Sequence, residues 1–310
     1  MSPFTNKRAD SITALGETML IQHIRRWLGR SSPSSPFGIG DDCAVMPASR
    51  LAQLITVDPV IYGHHFNDEV PARMAGAKLF KRNLSDIAAM GGRPTAAVIA
   101  LAIDGRVKTA WLREFYLGLA TISRRYDVPV VGGDVARLDS GIVATLTLLG
   151  EAGGPRVLTR TGARRGDHIC VTGRLGGSLP SGQHFKFTPR LAEGQWLTAR
   201  PEVRSMMDLS DGLAKDLHAL TPKGCAAALD PQCIPRRRGC DLQAALCDGE
   251  DYELVFCVDS RTSADSLRAA FLAQFPRTRF SCIGRFCTLG EEPKDCVNLR
   301  RFHGFEHLRD

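Results

Sequence analysis

No apolar run in these 310 residues approaches the roughly 18 that a membrane-spanning helix needs, so nothing here is expected to cross a bilayer. Lysine is scarce, supplying 8 of the 40 cationic side chains, and no basic run is longer than Arg236-Arg237-Arg238. The net charge of +7 is spread along the chain, +4 before residue 151 and +3 after it. A basic arm for nucleic acid is therefore excluded, and an Arg-rich surface or a site for anionic small molecules accounts better for the excess. The phosphate-binding signature G-x-x-x-x-G-K-S/T is absent, and the one G-x-G, Gly38-Ile39-Gly40, runs straight into Asp41-Asp42. A P-loop NTPase and a dinucleotide-binding Rossmann enzyme both lose their support. There is no C-x-x-C, no H-E-x-x-H and no G-x-S-x-G, which removes the common zinc sites and the serine hydrolases. The ten cysteines are irregularly spaced, and the chain opens with neither a basic leader nor an apolar signal core. A reduced, cytoplasmic protein is expected.

What is present is a steady alternation of strand and helix patterns. Leu20, Ile24, Trp27 and Leu28 recur at helical spacing, as do Leu112, Phe115, Leu119 and Ile122. Residues 71–90 read as a helix with Pro71 in its first turn and Gly91-Gly92 closing it. Strands are expected at 43–46, 54–60, 96–103, 128–131 and 142–149. In the second half they are expected at 169–172, 206–209, 226–229, 253–258 and 280–283, with helices opening after Ser210 and over 264–275. The length and this order predict a mixed α/β (α+β) fold of two domains, 1–150 and 151–310.

Aspartates stand at the ends of these strands and in turns, each beside glycine, serine or a hydroxyl: Gly40-Asp41-Asp42, Thr56-Val57-Asp58, Ser85-Asp86, Gly133-Asp134 and Asp208-Leu209-Ser210-Asp211-Gly212. One such residue is ordinarily a turn or N-cap residue. Five sites together, with few lysines among them, suit hard divalent cations shared with phosphate, since clustered carboxylates otherwise repel one another.

The ordered set of segments resembles the thiamine-monophosphate kinase family. It comprises Gly38-Ile39-Gly40-Asp41-Asp42-Cys43-Ala44-Val45, Asp58 with Gly63-His64-His65-Phe66, Lys78 with Asn83-Leu84-Ser85-Asp86-Ile87-Ala88-Ala89-Met90-Gly91, and Val131-Gly132-Gly133-Asp134. It continues through Leu158-Thr159-Arg160-Thr161-Gly162, Asp208-Leu209-Ser210-Asp211-Gly212-Leu213, Gly249-Glu250-Asp251-Tyr252-Glu253-Leu254 and Gly304-Phe305-Glu306-His307-Leu308, covering nearly the whole chain. The family belongs to a superfamily with aminoimidazole-ribonucleotide synthetase and selenophosphate synthetase. The resemblance implies ATP-dependent phosphorylation of thiamine monophosphate to thiamine diphosphate. It also implies a homodimer in which the first domains form a β-barrel at the interface, with that domain binding ATP and Mg²⁺ and the second contributing nucleotide and substrate residues.

Carried over by position, the resemblance implies that Asp42, Thr56, Val57, Asp58, Asp86, Asp134, Asp208 and Asp211 hold several Mg²⁺ ions. Tyr116, Gly133, Asp134, Arg160 and Ser210 would bind ATP, and His65, Glu250 and Phe305 the acceptor. The chemistry agrees: a histidine donor for phosphate, a carboxylate for a cationic ring and an aromatic face for stacking. The chain also departs from the family pattern. It has Val57 where a second hydroxyl is usual, Val135-Ala136 where Thr-Thr follows Gly-Gly-Asp, Tyr62 for an acidic residue, and a shorter stretch over 177–204. A paralogue phosphorylating another phosphorylated metabolite, and a non-catalytic nucleotide-binding dimer, are the competing readings.

Overall fold

The computed structural model describes residues 2–34, 37–39 and 43–306. The chain forms two compact units, one of residues 1–87 with 93–151, the other of 88–92 with 152–310.

In the first unit, α1 (Glu17–Leu28) turns Leu20, Ile24, Trp27 and Leu28 inward along one stripe. It stops at Gly29, whose φ of 58° a side chain would resist. β1 (Gln53–Ile61), α2 (Ala72–Ala89), β2 (Gly92–Asp104), α3 (Thr109–Tyr126), β3 (Val130–Leu138) and β4 (Ile142–Ala152) follow. The four strands form an open mixed sheet in the order β1-β4-β2-β3. β1 runs antiparallel to β4, from Gln53 opposite Glu151 to Ile61 opposite Val143, whereas β2 and β3 run parallel. Along β4, Ile142, Ala144, Leu146 and Leu148 are buried, the period-two pattern of a strand with one face in a core. α2 and α3 approach closely because two glycines face the opposing backbone. A Cβ on Gly76 would lie 2.0 Å from the Phe115 carbonyl oxygen, and one on Gly118 2.1 Å from that of Arg73.

The second unit is built on β5 (His168–Thr172), α4 (Gln183–Lys186), α5 (Leu191–Thr198), β6 (Val203–Asp208), α6 (Leu213–Asp216), β7 (Cys225–Leu229), α7 (Leu242–Cys247), β8 (Leu254–Val258), α8 (Ala264–Gln274) and β9 (Phe280–Thr288). Its five strands lie in the order β6-β8-β5-β9-β7 with each neighbouring pair antiparallel. One apolar cluster joins Ile169, Val171, Met207, Val255 and Ile283 of the sheet to Leu213, Leu217 and Leu246. A separate aromatic cluster sets Phe271 of α8 at 5.4 Å from Phe280 and at 5.6 Å from Trp196, with Phe256 5.2 Å from Phe280.

The chain is thus mixed α/β with two sheets, neither of which closes into a barrel among the described residues. One expected strand is not formed. Residues 43–46 run as irregular chain with Val45 and Met46 exposed, because an apolar run becomes a strand only where a ladder partner accepts it. No disulfide joins any of the ten cysteines. No helix among the described residues is long and apolar enough to cross a membrane.

Candidate active site

In the first unit, two periodicities bring the expected residues of β1 and α2 together. Thr56 and Asp58 share one face of β1, as every second strand residue does, and Lys78, Arg82 and Asp86 share one face of α2 at four-residue intervals. The Thr56 hydroxyl donates to Asp86 Oδ2 at 2.5 Å. The buried Arg82 guanidinium donates to the Pro59 carbonyl at 2.6 Å and stands 3.5 Å from Asp58 Oδ1. Val57 points to the opposite face, 58% exposed, so its candidate oxygen donor is the backbone carbonyl and not the side chain. His65 accepts the Ile61 backbone N–H at Nδ1 over 3.1 Å, which leaves Nε2 as the nitrogen able to donate. Its own carbonyl accepts from the buried Lys78 ammonium at 3.3 Å. Burial lowers the neighbouring Lys81 to about 8, helped by the charges of Arg125 and Lys78.

Tyr116, Gly133 and Asp134 line one small cavity of about 80 Å³ together with Ile24, Ile99 and Val130. Tyr116 is buried, its ring centroid 6.1 Å from that of Trp27, and burial pushes its hydroxyl well above the ordinary phenol range. Gly133 is required by close approach, since a Cβ there would meet the Ile99 carbonyl oxygen at 2.2 Å. Asp134 is exposed. Asp42 lies outside the described residues.

In the second unit, the end of β6 and the loop before β8 are joined through the backbone. Glu250 donates its N–H to the Ser210 carbonyl at 2.7 Å, Tyr252 to that of Leu209 at 2.8 Å, and Leu209 to that of Glu253 at 2.8 Å. Glu250 and Tyr252 both hold positive φ, 52° and 51°, a conformation non-glycine residues rarely adopt. Tyr252 is held in it by stacking on Phe187 at 4.1 Å, and its hydroxyl reaches Glu250 Oε1 at 3.4 Å. Asp208 is buried at the strand end. Asp211 pairs with Lys215 at 2.7 Å, and its backbone N–H donates to Asp216 Oδ2 at 3.0 Å. Burial raises Asp216 to about 7, and the nearby Asp208 and Asp211 charges push the same way. Phe305 reaches this loop from the tail: its N–H donates to the Asp211 carbonyl at 2.9 Å and its carbonyl accepts from Lys215 Nζ at 2.6 Å. Ser210, Asp211, Glu250 and Phe305 therefore belong to one neighbourhood, whereas Arg160 is an exposed residue of the segment that follows β4.

Two members of these sites were not foreseen from the sequence, Arg82 and Asp216, and Lys78 was legible only as part of the family resemblance, with no role attached. Asp216 had a signal, since an acidic residue flanked by Leu213, Ala214 and Leu217 on a short helix is bound to be partly buried. Among the described residues, no three His, Cys, Asp or Glu side chains gather into a ready metal cage. The donors of β1 and α2 come as an oxygen pair instead, Thr56 with Asp86, which suits a hard cation that keeps waters and takes phosphate oxygens.

Residues 40–152 match the family model described as AIR synthase related protein, N-terminal domain. The chain is 34% identical over 255 residues to the thiamine-monophosphate kinase of Rhodopirellula baltica, covering 76% of this chain and 80% of that protein. Among solved structures, the thiamine-monophosphate kinase of Stenotrophomonas maltophilia K279a superposes with a TM-score of 0.73 at 30% identity, covering 88% of this chain and 95% of that one. AaThiL complexed with AMPPCP and TMP superposes with a TM-score of 0.69 at 26% identity, over 96% and 98% of the two chains.

Proposed function

The chain belongs to the thiamine-monophosphate kinase family, and we propose that it carries out that family's reaction, moving the γ-phosphoryl group of ATP directly onto the phosphate of thiamine monophosphate. The observation that carries this reading is the likeness, over 96% of the chain, to a structure in which AMPPCP and TMP are bound together. A donor analogue and an acceptor held at once suit in-line transfer without a phosphoenzyme.

The nucleophile is a phosphate oxygen already ionised near neutrality, so no general base has to be found. The barrier is largely electrostatic, because two anionic phosphates about 4 Å apart repel by roughly 4 kcal/mol at an effective dielectric near 20. When bound, Mg²⁺ would offset that charge and align the phosphates; Asp42, Thr56, the Val57 carbonyl, Asp58, Asp86 and Asp134 are its candidate ligands in the first unit, Asp208 and Asp211 in the second. Gly133, Asp134 and Ser210 would contact the nucleotide, Arg160 its phosphates, and Tyr116 the side of the adenine. His65 would donate from Nε2 to the acceptor phosphate. Glu250 would face the positive charge of the acceptor, and Phe305 would stack on its rings.

The same reading includes a homodimer in which the first unit's sheets complete a barrel. β1 is an edge strand whose outer face presents Ile55, 71% exposed, beside Val57. An uncovered apolar edge calls for a partner, and a second copy of the strand is the one the family reading supplies.

The test is ADP release with thiamine monophosphate, thiamine and a panel of phosphorylated metabolites, each with and without Mg²⁺. ADP should appear with thiamine monophosphate and Mg²⁺ alone. Faster release with another acceptor would move the assignment to that metabolite.

A further inference from the structure

The strands β5 and β9 put two cysteines opposite each other in the second unit. Cys170 and Cys282 are direct partners in the antiparallel ladder, at the point where the register shifts between Ile169 and Cys170. Directly opposed residues of such a pair lie about 4.5–5.5 Å apart and share a face, inside the roughly 4.4–6.8 Å that a disulfide spans. Cys170 is fully buried, whereas Cys282 is half-buried. Cys282 Sγ has His168 Nδ1 at 4.0 Å and the Gly284 carbonyl at 3.8 Å. His168 and Gly284 in turn line a cavity of about 310 Å³ with Asp230 and Arg285, so the sulfur's neighbours are open to small solutes.

We propose that Cys282 is a site of peroxide oxidation, with Cys170 as the resolving thiol that closes a Cys170–Cys282 disulfide across the sheet. The Cys282 thiolate attacks one oxygen of hydrogen peroxide, the O–O bond breaks, and the second oxygen leaves as hydroxide and takes up a proton as water. Cys282 is oxidised by two electrons to the sulfenic acid, and peroxide is reduced. The Cys170 sulfur then displaces the sulfenic hydroxyl, the S–S bond forms, and that hydroxyl leaves with the Cys170 proton as a second water.

The electrostatics divide these roles in the same way. The Cys170 S–H donates to Cys282, and this with His168 brings the Cys282 thiol down to about 6 against the cost of burial. Burial drives Cys170 well above the usual thiol range. The exposed Cys233 is held up by its hydrogen bond to Asp230, so exposure alone does not rank these sulfurs. Relative to an ordinary thiol at neutral pH, Cys282 gains roughly thirtyfold in thiolate fraction and loses about tenfold in intrinsic nucleophilicity, a net advantage of about threefold. So small a factor makes the product a better readout than the rate.

The purified full-length chain is treated with hydrogen peroxide, its remaining thiols are blocked, and it is digested without reductant for mass analysis. The expected product is a Cys170–Cys282 linked peptide two hydrogens lighter than its parts, reversed by dithiothreitol. Cys170→Ser should then leave Cys282 as a sulfenic acid that dimedone captures, while Cys282→Ser should leave Cys170 reduced. Oxidation of Cys233 or Cys43 with Cys170 and Cys282 still free in the wild-type chain overturns the proposal, and so does a disulfide joining Cys282 to any other cysteine. The wild-type peptide map decides the matter even if a variant folds poorly.

Discussion

Phe305 is tied to Asp211 through the backbone, its N–H donating to the Asp211 carbonyl at 2.9 Å while the residue stays 54% exposed. The tail is thus anchored by its main chain at the loop that carries Ser210 and Asp211. Gly304 permits the approach, since a Cβ there would sit 2.4 Å from the same carbonyl oxygen.

Removing that ring should act on the acceptor alone. Phe305→Ala is expected to raise KM for thiamine monophosphate about thirtyfold, the equivalent of roughly 2 kcal/mol of desolvated cation–π stacking, and to leave KM for ATP nearly unchanged. Initial rates over a grid of both substrates measure the two constants together. Equal weakening of both would make the tail a structural strap.

The carboxylates of β1 and α2 should matter to turnover more than to folding. Asp58→Asn and Asp86→Asn keep size and hydrogen-bonding capacity but remove the charge facing Arg82 and Thr56. Each should lower kcat about 10²–10³-fold, the usual loss when one electrostatic element at the transferring group is removed. Circular dichroism and thermal melts should match those of the wild type. Full turnover in both variants would withdraw the cation ligands from this pair.

Charge on the outer face of β1 should break the dimer. The wild type is expected to sediment at twice the 33.8 kDa chain mass, and Ile55→Lys with Val57→Lys at the chain mass itself. Both positions are already exposed in the single chain, so the substitutions cost little folding stability. A wild type that sediments as a single chain at micromolar concentration would remove the homodimer.

Asp251 gives the second unit a pH-dependent stability. It accepts from the Gly176 N–H at 3.1 Å and pairs with Arg237, yet burial raises it to about 6. An unfolded aspartate titrates near 3.9, so the native state holds the proton more tightly. The resulting stability is fully present below about pH 4 and is lost as the pH rises through 6, by up to about 3 kcal/mol. Asparagine does not titrate. Asp251→Asn should therefore be most destabilised relative to wild type at pH 4.5 and should recover ground by pH 7.5 in urea melts. A difference that does not change with pH would show that Arg237 keeps the carboxylate ionised throughout.

The sequence by itself determined the elements whose patterns are long and periodic. Leu112, Phe115, Leu119 and Ile122 can be buried together only on a helix, and Ile142, Ala144, Leu146 and Leu148 only on a strand, because the repeat of the backbone sets which side chains share a face. The ordered Asp-Gly and Ser-Asp segments likewise make the family legible in the sequence itself. Tertiary structure alone decided what those residues touch. Residues 43–46 have the composition of a strand and none of its pairing, since pairing depends on a partner far away in sequence. Thr56 finds Asp86 thirty residues on, and Asp211 finds both Asp216 and the tail at Phe305. The raised Asp216, the lowered Cys282 and the positive φ of Glu250 and Tyr252 follow from burial and neighbours that only the folded chain supplies, because desolvation and Coulomb forces act through space and not along the sequence.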